Sequence, residues 1–163
     1  MTSLAAGGAA LDVVQVGQGR DLVLFHSLLT DRTVFDPVVP RLAAQRRLTL
    51  VNLPGFGDSA PAGPAIEDYA DRVALLFPAL GLSAATTDLV AMSFGGFVGI
   101  ALAARHGHLF DRLVLVDTAA AFPEPREPHR AHHPHLVLRR ARTFGEALYH
   151  VFESALVRRV ELA

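Results

Sequence analysis

The stretch Leu89-Val-Ala-Met-Ser-Phe-Gly-Gly-Phe-Val-Gly-Ile-Ala-Leu-Ala103 decides the fold of this chain. A short apolar run ends two residues before Ser93, and a glycine-rich helical pattern begins directly after it. Gly95, Gly99 and Ala103 recur every four residues, so they share one helical face. A face without bulky side chains lets a helix lie close against a sheet. The stretch therefore predicts a strand, a sharp turn and a helix, with the Ser93 hydroxyl at the apex.

Apolar runs and helical patterns alternate along the first two thirds of the chain. The predicted strands are 11–16, 21–25, 48–52, 88–91 and 112–117. The predicted helices are 34–44, 66–77 and 94–105. Such alternation is typical of a parallel sheet covered on both faces. The predicted fold class is α/β, a three-layer sandwich around a mostly parallel sheet of about five strands.

The composition changes after Phe122. Residues 123–135 are rich in Pro, Arg and His and lack an apolar period, whereas residues 136–163 are moderately amphipathic and are compatible with one or two helices. No strand is predicted beyond Asp117. We therefore divide the chain into a core portion, residues 1–122, and an irregular segment with helices, residues 123–163, which is either cap-like or an aberrant tail.

Composition and charge limit the function classes. The chain has 163 residues, a net charge of −1 and no cysteine. These values predict one domain without disulfides or thiolate zinc sites, and no nucleic-acid or membrane partner. The N-terminal residues lack a basic start before an apolar stretch, which predicts a cytoplasmic protein without a signal peptide.

Two patterns resemble ligand-binding motifs and are rejected. Gly17-x-Gly19 precedes a strand instead of opening a helix, and the third glycine of a dinucleotide fingerprint is missing. His129-x-x-His132-His133-x-His135 lacks flanking Asp, Glu or Cys ligands in register, so a solvated loop is the better interpretation. We therefore expect neither a cofactor nor a metal.

Three motifs resemble those of the α/β-hydrolases. The stretch 26–31, His-Ser-Leu-Leu-Thr-Asp, is similar to the family's His-Gly-x oxyanion loop, and 53–59, Leu-Pro-Gly-Phe-Gly-Asp-Ser, to its D-x-P-G-x-G-x-S loop. Ala91-x-Ser93-x-Gly95 resembles the G-x-S-x-G nucleophile elbow, with alanine in place of the first glycine.

The motif order extends this resemblance to roughly residues 11–122. The strand that ends at Asp117 follows the elbow at a reasonable spacing, so the chain resembles the N-terminal part of an α/β-hydrolase core of the esterase, lactonase or epoxide-hydrolase type. Epoxide hydrolases and dehalogenases usually carry Asp where Ser93 stands, which favours the serine enzymes.

The resemblance implies acyl transfer. Ser93 is then the nucleophile that forms a covalent intermediate, and the backbone N–H groups of Leu28 and Phe94 stabilise the oxyanion. One such donor contributes roughly 3 kcal/mol. Ser27 replaces the family's glycine and resists a positive φ, and His26 is interpreted as a structural histidine that orients the loop. Four apolar residues either line an acyl pocket or belong to the core: Phe25, Leu29, Phe56 and Phe97.

An acid and a histidine base are not recognisable. In the family both follow the serine along the chain. Asp117 is a candidate acid, although a strand-end aspartate that caps the next loop is the commoner case. The histidines after Ser93 are His106, His108, His129, His132, His133, His135 and His150. The first two end the elbow helix, over about 15 Å from its start.

Three hypotheses follow. The first is a serine hydrolase acting on small esters or lactones, incomplete because the chain is truncated or diverted after Phe122. The second is a non-catalytic, hydrolase-like remnant or assembly module that self-associates through an unpaired sheet edge at Leu113–Val116. In the third, a separate chain supplies the missing strands and the histidine.

Overall fold

A seven-stranded sheet forms the centre of the computed structural model, which describes residues 3–6, 9–118 and 135–139. The strands are β1 (Ser3–Ala6), β2 (Ala9–Val16), β3 (Arg20–Phe25), β4 (Arg46–Val51), β5 (Thr87–Met92), β6 (Arg112–Val116) and β7 (His135–Arg139). Their order across the sheet is β1-β2-β4-β3-β5-β6-β7. The strands from β3 to β7 are parallel, whereas β1 and β2 pair antiparallel. The α/β class with a mostly parallel sheet is confirmed, and β1 and β7 are additional to the predicted strands.

Helices cover both faces of the sheet. They are α1 (Val39–Ala43), α2 (Ile66–Ala74), α3 (Leu76–Ala79) and α4 (Phe94–His106), with 3-10 turns at Arg32–Phe35 and Gly107–Leu109. Successive strand residues point to opposite faces. Val23 and Phe25 accordingly lie in the core beneath α2 and α4, while Leu22 and Leu24 lie in the core beneath α1. None of the described helices has the length and apolar character needed to cross a bilayer.

The helix predicted over 34–44 is wrong in its extent. The structure has the 3-10 turn at Arg32–Phe35, whose cap is Asp31, followed by the short α1. Two prolines explain the difference. Pro37 lies between the two elements, and Pro40 occupies the first turn of α1. Proline lacks an N–H and disfavours helical geometry in the residue before it, so a continuous helix cannot pass through both positions.

The helix predicted over 66–77 is divided at Leu75 into α2 and α3. The break was expected at Phe77, because Pro78 follows it. Pro78 instead lies inside the short α3, where the N–H groups of the first turn have no partner within the helix, so its missing N–H removes no hydrogen bond there.

The expectation that no strand follows Asp117 is wrong. β7 pairs parallel with β6 over its whole length, with Arg112 opposite His135 and Val116 opposite Arg139. The Leu113–Val116 segment is therefore paired, and it is not the open edge that the assembly hypothesis required. The remainder of 123–163, with its predicted helices, lies outside the described residues.

Candidate active site

Four connections leave the carboxyl ends of neighbouring strands and meet at that end of the sheet. The loop at 26–31 follows β3, the loop at 52–59 follows β4, Ser93 follows β5, and residues 117–118 follow β6. In α/β proteins this end is where ligands bind. The three motifs that were recognised separately along the chain are thus brought together in space.

Ser93 occupies the turn between β5 and α4 in a strained conformation. Its φ is 48° and its ψ is −111°, outside the ordinary regions for an L residue. Its N–H donates to the carbonyl oxygen of Val116 at 2.9 Å, which fixes the turn against β6. The side chain is half-buried and makes no capping hydrogen bond to α4. The hydroxyl is therefore not a helix cap.

Small residues allow α4 to approach the sheet. A Cβ on Gly95 would lie 2.5 Å from the carbonyl oxygen of His26, and one on Gly99 would lie 3.0 Å from the Cβ of Ala91. The Gly95 N–H donates to that same His26 carbonyl at 3.1 Å. The close approach that the glycine spacing predicts is thus present, and it joins the elbow directly to the loop after β3.

His26 is fully buried, and both of its ring nitrogens contact the backbone. Nδ1 lies 2.8 Å from the carbonyl oxygen of Ser27, and the Leu53 N–H donates to Nε2 at 3.0 Å. A nitrogen that accepts an N–H carries no proton, so the proton is on Nδ1. Burial lowers the pKa of the ring below its ordinary value, which favours this neutral form.

The two predicted oxyanion donors belong to the first turn of α4 and to the loop after β3. Phe94 is the first residue of α4, where N–H groups have no partner within the helix and the helix dipole is positive. Leu28 lies in the loop after β3 with 54% of its surface exposed. The positive φ in that loop falls on Leu29, at 60°, and not on Ser27. The loop thus forms with serine at the family's glycine position.

Aromatic rings pack beside the elbow. Phe56 contacts the His26 ring edge-on at 4.9 Å between centroids, and Tyr69 of α2 contacts Phe94 edge-on at 5.5 Å. Tyr69 is not among the residues predicted from the sequence, because a lone tyrosine in an amphipathic helix carries no positional signal. Of the proposed pocket residues, Phe25 is core with no exposed surface, whereas Phe97 is 42% exposed.

Asn52 anchors the loop that follows β4, and the sequence analysis missed it. Its Nδ2 donates to the Asp12 carboxylate at 2.7 Å, and its Oδ1 accepts the Arg32 N–H at 2.7 Å. Ser59 closes the same loop by donating to the Asn52 carbonyl at 2.7 Å. The only signal available was the position of Asn52 at the end of a buried strand, where polar residues commonly hold loops.

The candidate acid and the histidines lie in different parts of the molecule. Asp117 is exposed, with a φ of 50°, at the end of β6. His106 pairs with Asp71 at 2.7 Å at the far end of α4. His135 begins β7 opposite Arg112, at the end of the sheet where the parallel strands start. The others beyond position 108 lie outside the described residues: His129, His132, His133 and His150. Within the described ranges no three His, Asp or Glu side chains gather in a metal-like group.

Comparison with known proteins agrees with this geometry. A pimeloyl-[acyl-carrier protein] methyl ester esterase from Aeromonas hydrophila is 34% identical over 116 residues, which are 69% of this chain and 43% of that protein. The corresponding protein of Sodalis glossinidius is 38% identical over 104 residues, 63% of this chain and 38% of that protein. The chain thus spans less than half the length of these relatives.

Solved structures show the same relationship. The enol-lactonase from Burkholderia xenovorans LB400 is 33% identical, with a TM-score of 0.64 over 71% of this chain and 46% of that one. A thermophilic esterase from Thermogutta terrifontis is 32% identical, with a TM-score of 0.65 over 77% of this chain and 47% of that one. The model of the alpha/beta hydrolase fold family matches residues 22–163. This chain therefore belongs to the alpha/beta hydrolase fold family.

Proposed function

We propose that this chain carries the nucleophile and oxyanion hole of an ester hydrolase, with Ser93 as the nucleophile. The observation that carries the proposal is the backbone of Ser93, which holds a half-buried hydroxyl at a strained strand-to-helix turn. Strain of this kind is found at functional sites, where the surrounding structure maintains it. The relatives named as methyl ester esterases support an ester substrate.

The proposed reaction has two steps. Ser93 Oγ attacks the carbonyl carbon of a small ester or lactone, and the bond from that carbon to the alkoxy oxygen breaks as the acyl group is transferred to the serine. The alkoxy oxygen takes up the proton released by the serine; it departs as an alcohol from an ester and remains attached as a hydroxyl from a lactone. Water then releases the acid. The charge that develops on the carbonyl oxygen is stabilised by the N–H groups of Phe94 and Leu28.

The proton of Ser93 Oγ requires a base, and we assign none among the described residues. His26 is committed to the backbone on both sides, and His106 is paired with Asp71. Asp117, at the end of the neighbouring strand, is the proposed acid partner for a histidine contributed by the rest of the protein or by a second chain. The unpaired-edge argument for an assembly module loses its basis, because β6 is paired with β7.

Labelling with a fluorophosphonate, which reacts with activated serines, tests the proposal. We expect one adduct, on Ser93 by peptide mass mapping, and none in Ser93→Ala. Ser83→Ala is the matched control, because this exposed serine lies before β5 at the opposite edge of the sheet and its loss leaves labelling unchanged. A folded wild-type chain that acquires no adduct on Ser93 contradicts a nucleophile that works without a second chain. Hydrolysis of p-nitrophenyl acetate and butyrate then measures the preference for acyl length.

A further inference from the structure

We propose that Thr118 is a positioning residue for Asp117. The packing of Thr118 against Gly96 of α4 holds Asp117 in a left-handed conformation, and that conformation decides where the Asp117 carboxylate is presented. This inference rests on the proposed function, since Asp117 is the acid partner proposed there for a histidine. Thr118 then acts on Asp117, and through Asp117 on the reactivity of Ser93.

Asp117 is the neighbour of the nucleophile across the sheet. β5 and β6 are parallel, with Met92 opposite Val116, so the next residues along them are Ser93 and Asp117. The Ser93 N–H donates to the Val116 carbonyl at 2.9 Å, which ties the two turns together. Asp117 is exposed, and no hydrogen bond or ion pair from another described residue holds its carboxylate. The backbone of Asp117 therefore decides where the carboxylate lies.

The regular alternation of side chains along β6 ends at Asp117. Successive strand residues point to opposite faces, and Val114 and Val116 lie in the core on the α1 side of the sheet. Continued alternation would place Thr118 on that side as well. Its side chain instead lies against Gly96 of α4, the helix on the other face. Asp117, with a φ of 50°, is the residue at which the chain turns toward α4.

Gly96 leaves the space that Thr118 occupies. A Cβ on Gly96 would lie 2.6 Å from Cγ2 and 2.8 Å from Cβ of Thr118, closer than such atoms approach in proteins. The preceding residue, Gly95, faces the His26 carbonyl in the same way. The two adjacent glycines thus let the first turn of α4 touch the loop after β3 with one residue and the segment after β6 with the next.

Packing, more than hydrogen bonding, holds Thr118 in place. Its hydroxyl lies 3.5 Å from the Val116 carbonyl oxygen, which is long for a hydrogen bond, and that oxygen already accepts the Ser93 N–H. Valine has the shape of threonine and would keep the contact with Gly96, whereas glycine would leave it empty. A left-handed residue with a Cβ persists only where its surroundings maintain it. We therefore expect the turn at Asp117 to relax when the contact is lost.

Nuclear magnetic resonance tests this expectation without reference to activity. A positive φ brings the amide and α protons of one residue together, so Asp117 should show a strong nuclear Overhauser effect between them. We expect this signal to persist in Thr118→Val and to weaken in Thr118→Gly. It should also weaken in Gly96→Ala, where the added Cβ displaces an intact threonine. Thr86→Gly is the matched control, because Thr86 is exposed in the turn before β5, where the parallel strands start.

Circular dichroism identifies any variant that does not fold. A full Asp117 signal in folded Thr118→Gly, or in folded Gly96→Ala, overturns the inference. Because the two variants disturb the contact from opposite sides, the failure of one to fold leaves the other as the test.

A double-mutant cycle tests whether Thr118 acts through Asp117. We expect fluorophosphonate labelling of Ser93 to slow about tenfold in Thr118→Gly and in Asp117→Asn, and to slow no further when the two are combined, as is found for coupled residues. Thr118→Val and Thr86→Gly should be labelled at the wild-type rate. The inference is overturned if Asp117→Asn is labelled as fast as the wild type, or if Thr118→Gly slows labelling equally with and without Asp117→Asn.

The two measurements separate this inference from the proposed function. A wild type that shows the Asp117 signal, loses it in Thr118→Gly and is never labelled at Ser93 contradicts a nucleophile that works without a second chain. The same result leaves Thr118 as the residue that holds Asp117.

Discussion

Ser93 has a φ of 48° and a ψ of −111°, a combination that a residue with a Cβ adopts only under strain. Its amide is held by the carbonyl of Val116, and the next turn is held by the bond from Gly95 to His26. These hydrogen bonds fix the turn from both sides, so the strain is not relieved by movement of the backbone. Conformational strain of this kind costs about 1–3 kcal/mol, and it is retained where a side chain must be presented at one point.

We therefore predict that Ser93→Gly is more stable than Ser93→Ala. Both substitutions remove the hydroxyl, but only glycine relieves the positive φ. Glycine also loses more backbone entropy on folding, about 0.5–1 kcal/mol, so the net difference is expected to be about 1 kcal/mol. Urea unfolding followed by circular dichroism measures it. Equal midpoints for the two variants would show that the turn is not strained in solution.

At the scale of the elements, the amino ends of four parallel strands are joined by one buried carboxylate. Asp88 of β5 accepts from Arg20 of β3 at 3.1 Å and from Arg112 of β6 at 3.0 Å, and it also pairs with Arg46 of β4. The Asp88 side chain is 6% exposed, and the three arginine side chains are partly exposed. Burial lowers the pKa of Arg46, and the Asp88 carboxylate opposes that shift by favouring the charged guanidinium.

Asp88→Asn is predicted to destabilise the chain. The substitution preserves shape but removes the charge shared by three guanidinium groups, of which Arg20 and Arg112 keep Asp111 as a partner whereas Arg46 loses its carboxylate partner. Breaking a fully buried pair costs about 3–5 kcal/mol; because the arginines are partly solvated, we expect about 2 kcal/mol. Asp71→Asn is the matched control. The Asp71 carboxylate likewise pairs with an arginine, Arg105, but this pair lies at the surface. Urea unfolding measures the free energy of unfolding of both variants. An equal loss of stability in the two variants contradicts the role assigned to Asp88.

The elements differ in how well the sequence predicts them. The elbow was predictable because its glycine spacing has one geometric explanation, and Gly95 does face the His26 carbonyl. β7 was not predictable, because only three apolar residues, 136–138, lie between His135 and Arg139. A run that short is recognised as a strand only through its pairing with β6. The position of Nε2 of His26 beneath the Leu53 N–H depends likewise on a contact 27 residues away along the chain.

At the scale of the whole molecule, β7 determines whether the hydrophobic strand β6 has a partner on its outer side. Leu113, Val114, Leu115 and Val116 are all buried in the structure. Strand edges without a partner present N–H and C=O groups that pair with another molecule. The self-association expected from the sequence therefore becomes conditional: it should occur when β7 is removed and not simply because β6 is present.

Two shortened forms test this condition. A form ending at residue 118 lacks β7, whereas a form ending at residue 139 retains it and serves as the matched control. We expect the shorter form to elute as oligomers or to precipitate, because β6 is then an exposed apolar edge. The longer form should behave as the full chain does at the same concentration, and analytical ultracentrifugation over a concentration series measures both. If the two forms sediment alike, β7 does not protect β6. Removing β7 would then have exposed no surface that another molecule binds.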